Sequence, residues 1–347
     1  LKCRADSIAM AYREQGAFGD TARRPFLGTA GSATSATSGL SGLTSSAEAT
    51  SPRSSAAAAW QEKARTCLEF NDEDLDLSDR PLGDEGALWL SNLMTEWQPS
   101  SLRRLLFQRI SISPEGCSMI GDVIKQADGV QVVDIGGNDV GPTGLRGGLT
   151  DGILHTGSIT TLSLKGCLLE DKGIPAVCEI LTFIPGALAK DLRLEHLNLS
   201  CNKIGLEGVR CLRQGLADNT SLRSLDLSAN ALDASAAEVL LEGLAAKAER
   251  HESMLKRNGV APRPWKGIQE LNLCQNQLQL EGVMMLAQHF ASPAGNILLR
   301  LDLCHNAVTQ QGVADVKKEL GQPLQGSLQG WVLQFDGGAR QMRLNAF

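Results

Sequence analysis

The sequence predicts an α/β solenoid, in which short parallel strands alternate with helices. The first observation is an internal repeat: two stretches that begin at Leu194 and Leu222 align without a gap at a period of 28 residues. The second is a change of period within each copy. Leu197 and Leu199 alternate with polar residues, as in a strand, and small or apolar residues then recur at every fourth position from Ile204, as on one helix face. A unit this small cannot cover its own apolar face, so we expect the repeats to stack into one extended domain.

The same pattern predicts eight repeats along the chain. Each predicted strand carries two apolar residues separated by one polar residue. These pairs are Leu75/Leu77, Leu105/Phe107, Val133/Ile135, Leu162/Leu164, Leu197/Leu199, Leu225/Leu227, Leu271/Leu273 and Leu301/Leu303. A strand that returns through a helix predicts a parallel sheet with right-handed crossovers. Each predicted helix also has glycine or alanine at one equivalent position, which we interpret as close packing of the helix on the sheet.

A polar residue follows each of the last six predicted strands at the same position. These residues are Asn138, Cys167, Asn202, Asn230, Asn276 and Asn306. Because an asparagine side chain both donates and accepts hydrogen bonds, we expect a buried structural ladder that satisfies the loop backbone. The first two repeats have Arg80 and Ile110 at this position, which predicts a less regular N-terminal end.

The pattern LxxLxLxxN, followed by a helix with a glycine and repeated every 28–30 residues, resembles the ribonuclease-inhibitor type of leucine-rich repeat. The resemblance covers about Leu75 to Leu333. It implies a horseshoe with the parallel sheet on the concave face and the helices on the convex face. This repeat type occurs in nuclease inhibitors, NOD-like receptors, Ran GTPase-activating proteins and cytoskeletal proteins, so the resemblance does not imply one function.

The composition predicts three segments. Residues 1–55 are rich in Ser, Ala, Thr and Gly without an apolar period, so we predict a disordered segment, with a transit peptide as the alternative. Residues 56–336 form the predicted repeat domain, which begins with a capping helix from Ala56 and closes with a capping strand around Trp331. Residues 337–347 are a predicted tail.

Two places break the repeat period. The spacing is 35 residues between Leu162 and Leu197 and 46 residues between Leu225 and Leu271. We interpret both as tolerated insertions, and a partner-binding feature at 245–266 is the alternative for the second.

The overall composition excludes several functions. The net charge of −6 argues against non-specific nucleic-acid binding, and no apolar run approaches the ~20 residues of a membrane span. The nine cysteines are an odd number without CxxC spacing, and the five histidines form no HxxxH, so we expect neither a disulfide framework nor a metal site. Reduced thiols favour the cytoplasm, with the nucleus or an organelle as alternatives. The chain begins with Leu, which is consistent with a fragment that lacks an upstream signal or a further domain.

The sequence contains no recognised catalytic motif. There is no GxxxxGK[ST] and no GxSxG, and we predict no cofactor. Asp134, Asp226 and Asp302 occupy one strand position in different repeats, so we interpret them as a solvated column and not as an acid/base group. Cys274 and Cys304 are interpreted as ordinary thiols.

The predicted function is a non-enzymatic, monomeric scaffold that binds a protein through the concave face. The predicted central outward column is Asp76, Leu106, Asp134, Ser163, Asn198, Asp226, Asn272 and Asp302. The predicted flanking residues are Arg104, Lys165, His196, Glu270 and Arg300. A column with four aspartates and no basic residue predicts a partner with a basic surface. The alternative is a GTPase-activating protein for a small Ran-like GTPase.

Overall fold

The structure is a computed structural model. It describes residues 52–182, 194–219, 221–245, 267–292, 298–321, 324–327, 330–335 and 340–345. Residues 1–51 of the predicted disordered segment, which was expected to extend to residue 55, lie outside the described part of the chain. Most of each insertion, at 183–193 and 246–266, also lies outside the described residues.

Eight parallel strands lie at the predicted positions and pair in chain order. They are β1 Asp74–Asp76, β2 Arg104–Leu106, β3 Val132–Asp134, β4 Thr161–Ser163, β5 His196–Asn198, β6 Ser224–Asp226, β7 Glu270–Asn272 and β8 Arg300–Asp302. In each strand the middle residue is buried and the two outer residues are more exposed. This alternation shows that one face of the sheet is covered by the core and the other is open.

Helices follow the strands and supply the rest of the core. They are α1 Pro52–Glu69, α2 Gly83–Trp97, α3 Gly116–Gln126, α4 Gly141–Gly144, α5 Thr150–Thr156, α6 Glu170–Thr182, α7 Leu206–Asp218, α8 234–245, α9 Gln279–Ala291 and α10 Gln310–Leu320. A short π-helix, Leu145–Leu149, joins α4 to α5. The buried leucines, isoleucines and valines of the strands and helices form one continuous hydrophobic cluster. The α/β solenoid is therefore confirmed.

The C-terminal end differs from the prediction. Three more strands, β9 Leu324–Ser327, β10 Gly330–Phe335 and β11 Arg340–Leu344, extend the sheet in the order β8-β11-β10-β9. The strand next to the last repeat is thus β11, which lies in the predicted tail 337–347, and that boundary was wrong. The reason is that Met342 and Leu344 are fully buried and continue the apolar columns of the parallel strands, with Met342 opposite Leu301.

A helix covers the first repeat, as the sequence predicts, but it begins at Pro52, four residues earlier than expected. Trp60 is 2% exposed and packs edge-on against Trp89 of α2, with ring centroids 5.2 Å apart. Near the end of α1 the Cys67 thiol donates to the carbonyl of Asp74 in β1. These contacts cover the side of the first repeat that faces away from the second repeat.

The recurrent helix glycines contact different partners from those predicted. A Cβ on Gly208 would lie 2.6 Å from Asp171 Oδ1 in the preceding helix and 2.7 Å from Ile204, just before its own helix. At Gly144 the nearest atoms belong to Cys117 and Pro114 of the preceding repeat. The missing side chains therefore allow one helix to approach the previous helix, and the predicted close approach to the sheet was wrong.

The ladder residues are buried where the strands end. Asn202 Oδ1 accepts hydrogen bonds from the backbone N–H groups of Cys167 and Leu169. Its Nδ2 donates to the carbonyls of Leu164 and Leu199 at 2.7 and 3.0 Å. One side chain thus satisfies backbone groups in both the fourth and fifth repeats.

The other asparagines of the ladder bond in the same way. Each donates from Nδ2 to its own repeat and to the preceding one, and accepts through Oδ1 from the preceding repeat: Asn138, Asn230, Asn276 and Asn306. Cys167 differs because its thiol donates to Ile135 O over 3.4 Å.

The backbone turns sharply at one further recurrent position. The third residue after each of the eight strands has a φ between 51° and 73°: Asp79, Arg109, Gly137, Gly166, Cys201, Ala229, Gln275 and His305. In the first seven, the N–H donates to a loop carbonyl of the next repeat. At His305 the acceptor is the Asn345 side chain, 2.5 Å away. Asn345 therefore replaces the loop carbonyl of a further repeat.

The buried leucine columns predict a large loss of stability when one member is truncated. Leu227 has no exposed surface, so we expect Leu227→Ala to lower the free energy of unfolding by ~2–5 kcal/mol. Urea denaturation against the parent measures this loss. Leu88→Ala is the control, because Leu88 is 48% exposed and should cost less than ~1 kcal/mol. Equal stabilities of the Leu227 variant and the parent would contradict the register.

The ladder predicts a second effect on stability. Asn202→Ala leaves the N–H groups of Cys167 and Leu169 without their acceptor, at ~1–3 kcal/mol for each unpaired group. Asn272→Ala in β7 is the control, since Asn272 and Cys274, whose N–H it releases, are both partly exposed. We expect a clearly larger fall in the urea midpoint for Asn202→Ala, and equal falls would rule out the ladder as a major source of stability.

Candidate interaction surface

The open sheet face is the side of the sheet formed by the first and third residues of β1 to β8, together with Gln341 and Arg343 of β11. The strand register places these residues in two continuous rows. The first row is Asp74, Arg104, Val132, Thr161, His196, Ser224, Glu270, Arg300 and Gln341. The second row is Asp76, Leu106, Asp134, Ser163, Asn198, Asp226, Asn272, Asp302 and Arg343.

The predicted column therefore matches the first eight residues of the second row, but the predicted flanking residues do not form one group. Arg104, His196, Glu270 and Arg300 lie in the first row. Lys165 lies two residues beyond Ser163, on the opposite side of the second row, and is exposed. The sequence could not separate these positions without the strand boundaries.

The acidic and amide residues of the second row share a structural contact. In each, the side-chain Oδ1 accepts a hydrogen bond from the backbone N–H two residues later. The pairs are Asp76 with Ser78, Asp134 with Gly136, Asn198 with Ser200, Asp226 with Ser228, Asn272 with Cys274 and Asp302 with Cys304. This turn-forming bond explains why Asp and Asn alternate in the row, because both supply the same acceptor.

Two ion pairs connect neighbouring strands in the first row. Arg104 pairs with Asp74 through Nε and Nη2 of its guanidinium, and this contact lowers the pKa of the Asp74 carboxyl. Arg300 Nη1 lies 2.8 Å from Glu270 Oε1. The four side chains are 41–72% exposed, so solvent screens both pairs and each contributes little to stability.

Two aspartates near the middle of the second row accept hydrogen bonds from neutral groups. The hydrogen-bond donors to Asp134 are neutral, namely Gln108 and Gly136. Asp226 likewise accepts from Asn272 Nδ2 at 3.1 Å, in addition to its turn bond. Because these donors are neutral, the bonds bring no positive charge to this part of the open sheet face.

The C-terminal end of the second row departs from the predicted column. The row continues into β11 with Arg343, whose Nη1 lies 2.9 Å from Asp302 Oδ2. Asp302 is only 20% exposed, so this pair is better shielded from water than those in the first row. The expectation of a column without a basic residue was therefore wrong, because it omitted the ninth parallel strand.

A depression of about 270 Å³ lies on the open sheet face near this end. It spans the strands from β6 to β11 and is lined mostly by polar side chains: Ser224, Asp226, Glu270, Asn272, Arg300, Asp302, Gln341 and Arg343. Carboxylate and guanidinium groups both line it, so the depression can accept polar side chains of a partner.

Sequence reasoning missed several residues of this surface. Asp74 and Gln108 were absent from the prediction, although they contact Arg104 and Asp134 directly. The signal for Arg343 was the alternation of Met342 and Leu344 with polar residues, the same two-residue period that predicts the other strands. Only the pairing of β11 with β8 reveals where Arg343 belongs.

The surface holds no recognised chemistry in the described part of the chain. No group of three or more His, Cys, Asp or Glu side chains there could hold a metal ion. Burial, and then the adjacent Asp302 carboxylate, raises the pKa of the Cys304 thiol far above its usual value. This thiol therefore stays protonated and is a poor nucleophile. None of the helices in the described ranges is long and apolar enough to cross a membrane.

Comparisons with known proteins agree with the repeat architecture. The leucine-rich repeat family model matches residues 194–212 and 218–241. A ribonuclease inhibitor of Sus scrofa is 28% identical over 279 residues, which are 72% of this chain and 56% of that protein. A ribonuclease inhibitor of Mus musculus is 23% identical over 280 residues, with 72% and 55% coverage.

A third relative is a human protein named NACHT, LRR and PYD domains-containing protein 13. It is 29% identical over 146 residues, which are 42% of this chain and 13% of the relative. The chain spans about half the length of the two ribonuclease inhibitors. The strand register, the buried ladder and these similarities together show that the chain is a leucine-rich repeat protein whose repeats are of the ribonuclease-inhibitor type.

Proposed function

We propose that this protein is a non-enzymatic scaffold that binds a protein partner through the open sheet face. The observation that carries the proposal is the strand register, which places two rows of polar side chains next to each other on one rigid face. Six side chains of the second row are fixed by bonds to their own backbone. Side chains that are already ordered lose little entropy on binding.

The proposed partner presents basic side chains. Asp134 and Asp226 lie near the middle of the second row and accept hydrogen bonds from neutral donors, while Arg300 and Arg343 moderate the field at the C-terminal end. Charge complementarity of this kind acts on the association rate and on partner selection more than on the final affinity. The binding should therefore weaken as salt is added.

The relatives support a binding role. Two of them are named as inhibitors of ribonuclease, which is a function carried out by contact with another protein. This chain spans about half their length, so we propose a protein partner without assigning ribonuclease itself. The face that we propose for contact is the concave face implied by the repeat type.

Neutralising the second row should reduce binding. We expect the triple variant Asp134→Asn, Asp226→Asn and Asp302→Asn to recover less of a basic partner in a quantitative pull-down at low salt. Asparagine keeps the Oδ1 acceptor of each turn and already occupies this row at Asn198 and Asn272, so the fold should be unchanged. The lost attraction should also flatten the dependence of recovery on salt.

A matched triple variant controls for net charge. Asp122→Asn, Asp151→Asn and Asp315→Asn remove the same charge from three helices and should leave recovery unchanged. Both triples recovering the same partners with the same salt dependence would contradict binding by the open sheet face. The insertion at 245–266 would then be the next candidate for the binding site.

The GTPase-activating alternative is tested directly by single-turnover hydrolysis. We expect the rate of GTP hydrolysis by Ran to be the same with and without this protein, because the proposed role is binding alone. A GTPase activator stabilises the charge of the phosphoryl-transfer transition state and produces large accelerations, about 10³–10⁵-fold where an arginine is supplied. An acceleration of that size would overturn the non-enzymatic proposal.

A further inference from the structure

Two thiols from neighbouring repeats lie in contact on the helical side of the protein. Cys178 is in α6 of the fourth repeat, and Cys211 is in α7 of the fifth. Their sulfur atoms are 3.6 Å apart, and Cys178 Sγ also lies 3.3 Å from the carbonyl oxygen of Cys211. The two residues are 33 positions apart in the chain, so the contact depends on the stacking of the repeats.

The packing of α6 against α7 fixes this contact. A Cβ on Gly215 would lie 3.3 Å from the Cα and 3.2 Å from the Sγ of Cys178, so the absence of a side chain there allows the two helices to approach closely. Gly208 has a similar role two turns earlier in α7, where a Cβ would lie 3.2 Å from a side-chain atom of Ile174. Asp171 Oδ1 accepts from the N–H of Gly205 at 2.7 Å and ties the two helices together.

We propose that Cys178 and Cys211 form a reversible disulfide that joins the fourth and fifth repeats in the presence of a small disulfide oxidant. A disulfide requires sulfur atoms that can reach about 2.05 Å without backbone movement. Rotation of side chains whose sulfurs already touch can supply this approach. Both residues are half-buried, so a small oxidant can reach them from the helical side.

The reaction is a thiol–disulfide exchange. The thiolate of one cysteine attacks the oxidant, forms a mixed disulfide and releases one small thiol. The second cysteine then attacks the sulfur of the first, forms the Cys178–Cys211 bond and releases the second small thiol. The protein loses two protons and two electrons, which reduce the sulfur–sulfur bond of the oxidant to two thiols.

The pair is expected to remain a dithiol without an added oxidant. Burial, followed by the effect of the neighbouring Cys211, raises the pKa of the Cys178 thiol to about 12. A protonated thiol is a weak nucleophile, so Cys178 reacts slowly at neutral pH. Once formed, the bond closes a long loop of chain and restricts the unfolded state.

Peptide mapping of the full chain tests the proposal. Reduced protein is incubated with excess oxidised glutathione, unfolded in N-ethylmaleimide to block remaining thiols, and digested with trypsin. We expect residues 173–190 linked to residues 211–213, at about tenfold or greater excess over any other cysteine pair, since the sulfur atoms of Cys178 and Cys211 already touch. Dithiothreitol should remove the linked peptide.

Two variants and a thermal measurement complete the test. Oxidation should raise the Tm of the parent by several degrees, and Cys211→Ser should abolish both this rise and the linked peptide. Cys201→Ser is the control, because Cys201 is also half-buried but lies at a strand exit, and it should retain both effects. The proposal is overturned if the maleimide modifies Cys178 and Cys211 of the oxidised parent, or if either residue is found with glutathione or with another cysteine instead.

Discussion

The fold depends on hydrogen bonds that cross from one repeat to the next where each strand ends. Asn202 shows the principle, because its amide satisfies backbone groups in two repeats at once. The residue just before each ladder position adds a second crossing bond from its own N–H, as at Cys201 and Ala229. A single repeat would leave these groups unpaired. Each repeat is therefore stable only beside a neighbour, and the burial of the leucines follows from the same stacking.

The turn at the end of each strand also determines much of the chemistry of the open sheet face. The Asp and Asn residues of the second row accept backbone hydrogen bonds that form the turns, so their acceptor oxygen is required by the fold. Their charge is not, since Asn198 and Asn272 form the same turn as Asp226. The charge of the second row can therefore change without loss of the repeat structure.

Most of the fold could be predicted because the same strand and helix pattern recurs, so that an unclear assignment in one copy is decided by the others. Eight aligned copies identified all eight strand cores and the six ladder positions from residue types alone. The end of the array could not be predicted in the same way, since Met342 and Leu344 form a single short strand with no following helix. The two rows of the open sheet face required the observed register, which separates Lys165 from Arg104 and His196. Contacts such as Gln108 with Asp134 depend on side-chain conformations that no pattern encodes.

The strand order at the C-terminal end limits how the array can change in length during evolution. β11 pairs with β8, and the antiparallel β10 then occupies its other edge. A further strand–helix unit duplicated beyond β8 would have to displace β11 before it could pair in parallel. Duplication inside the array meets no such barrier, because every internal repeat offers its neighbour the same ladder and the same turn. New repeats are therefore expected to arise from the middle of this protein and not at this edge.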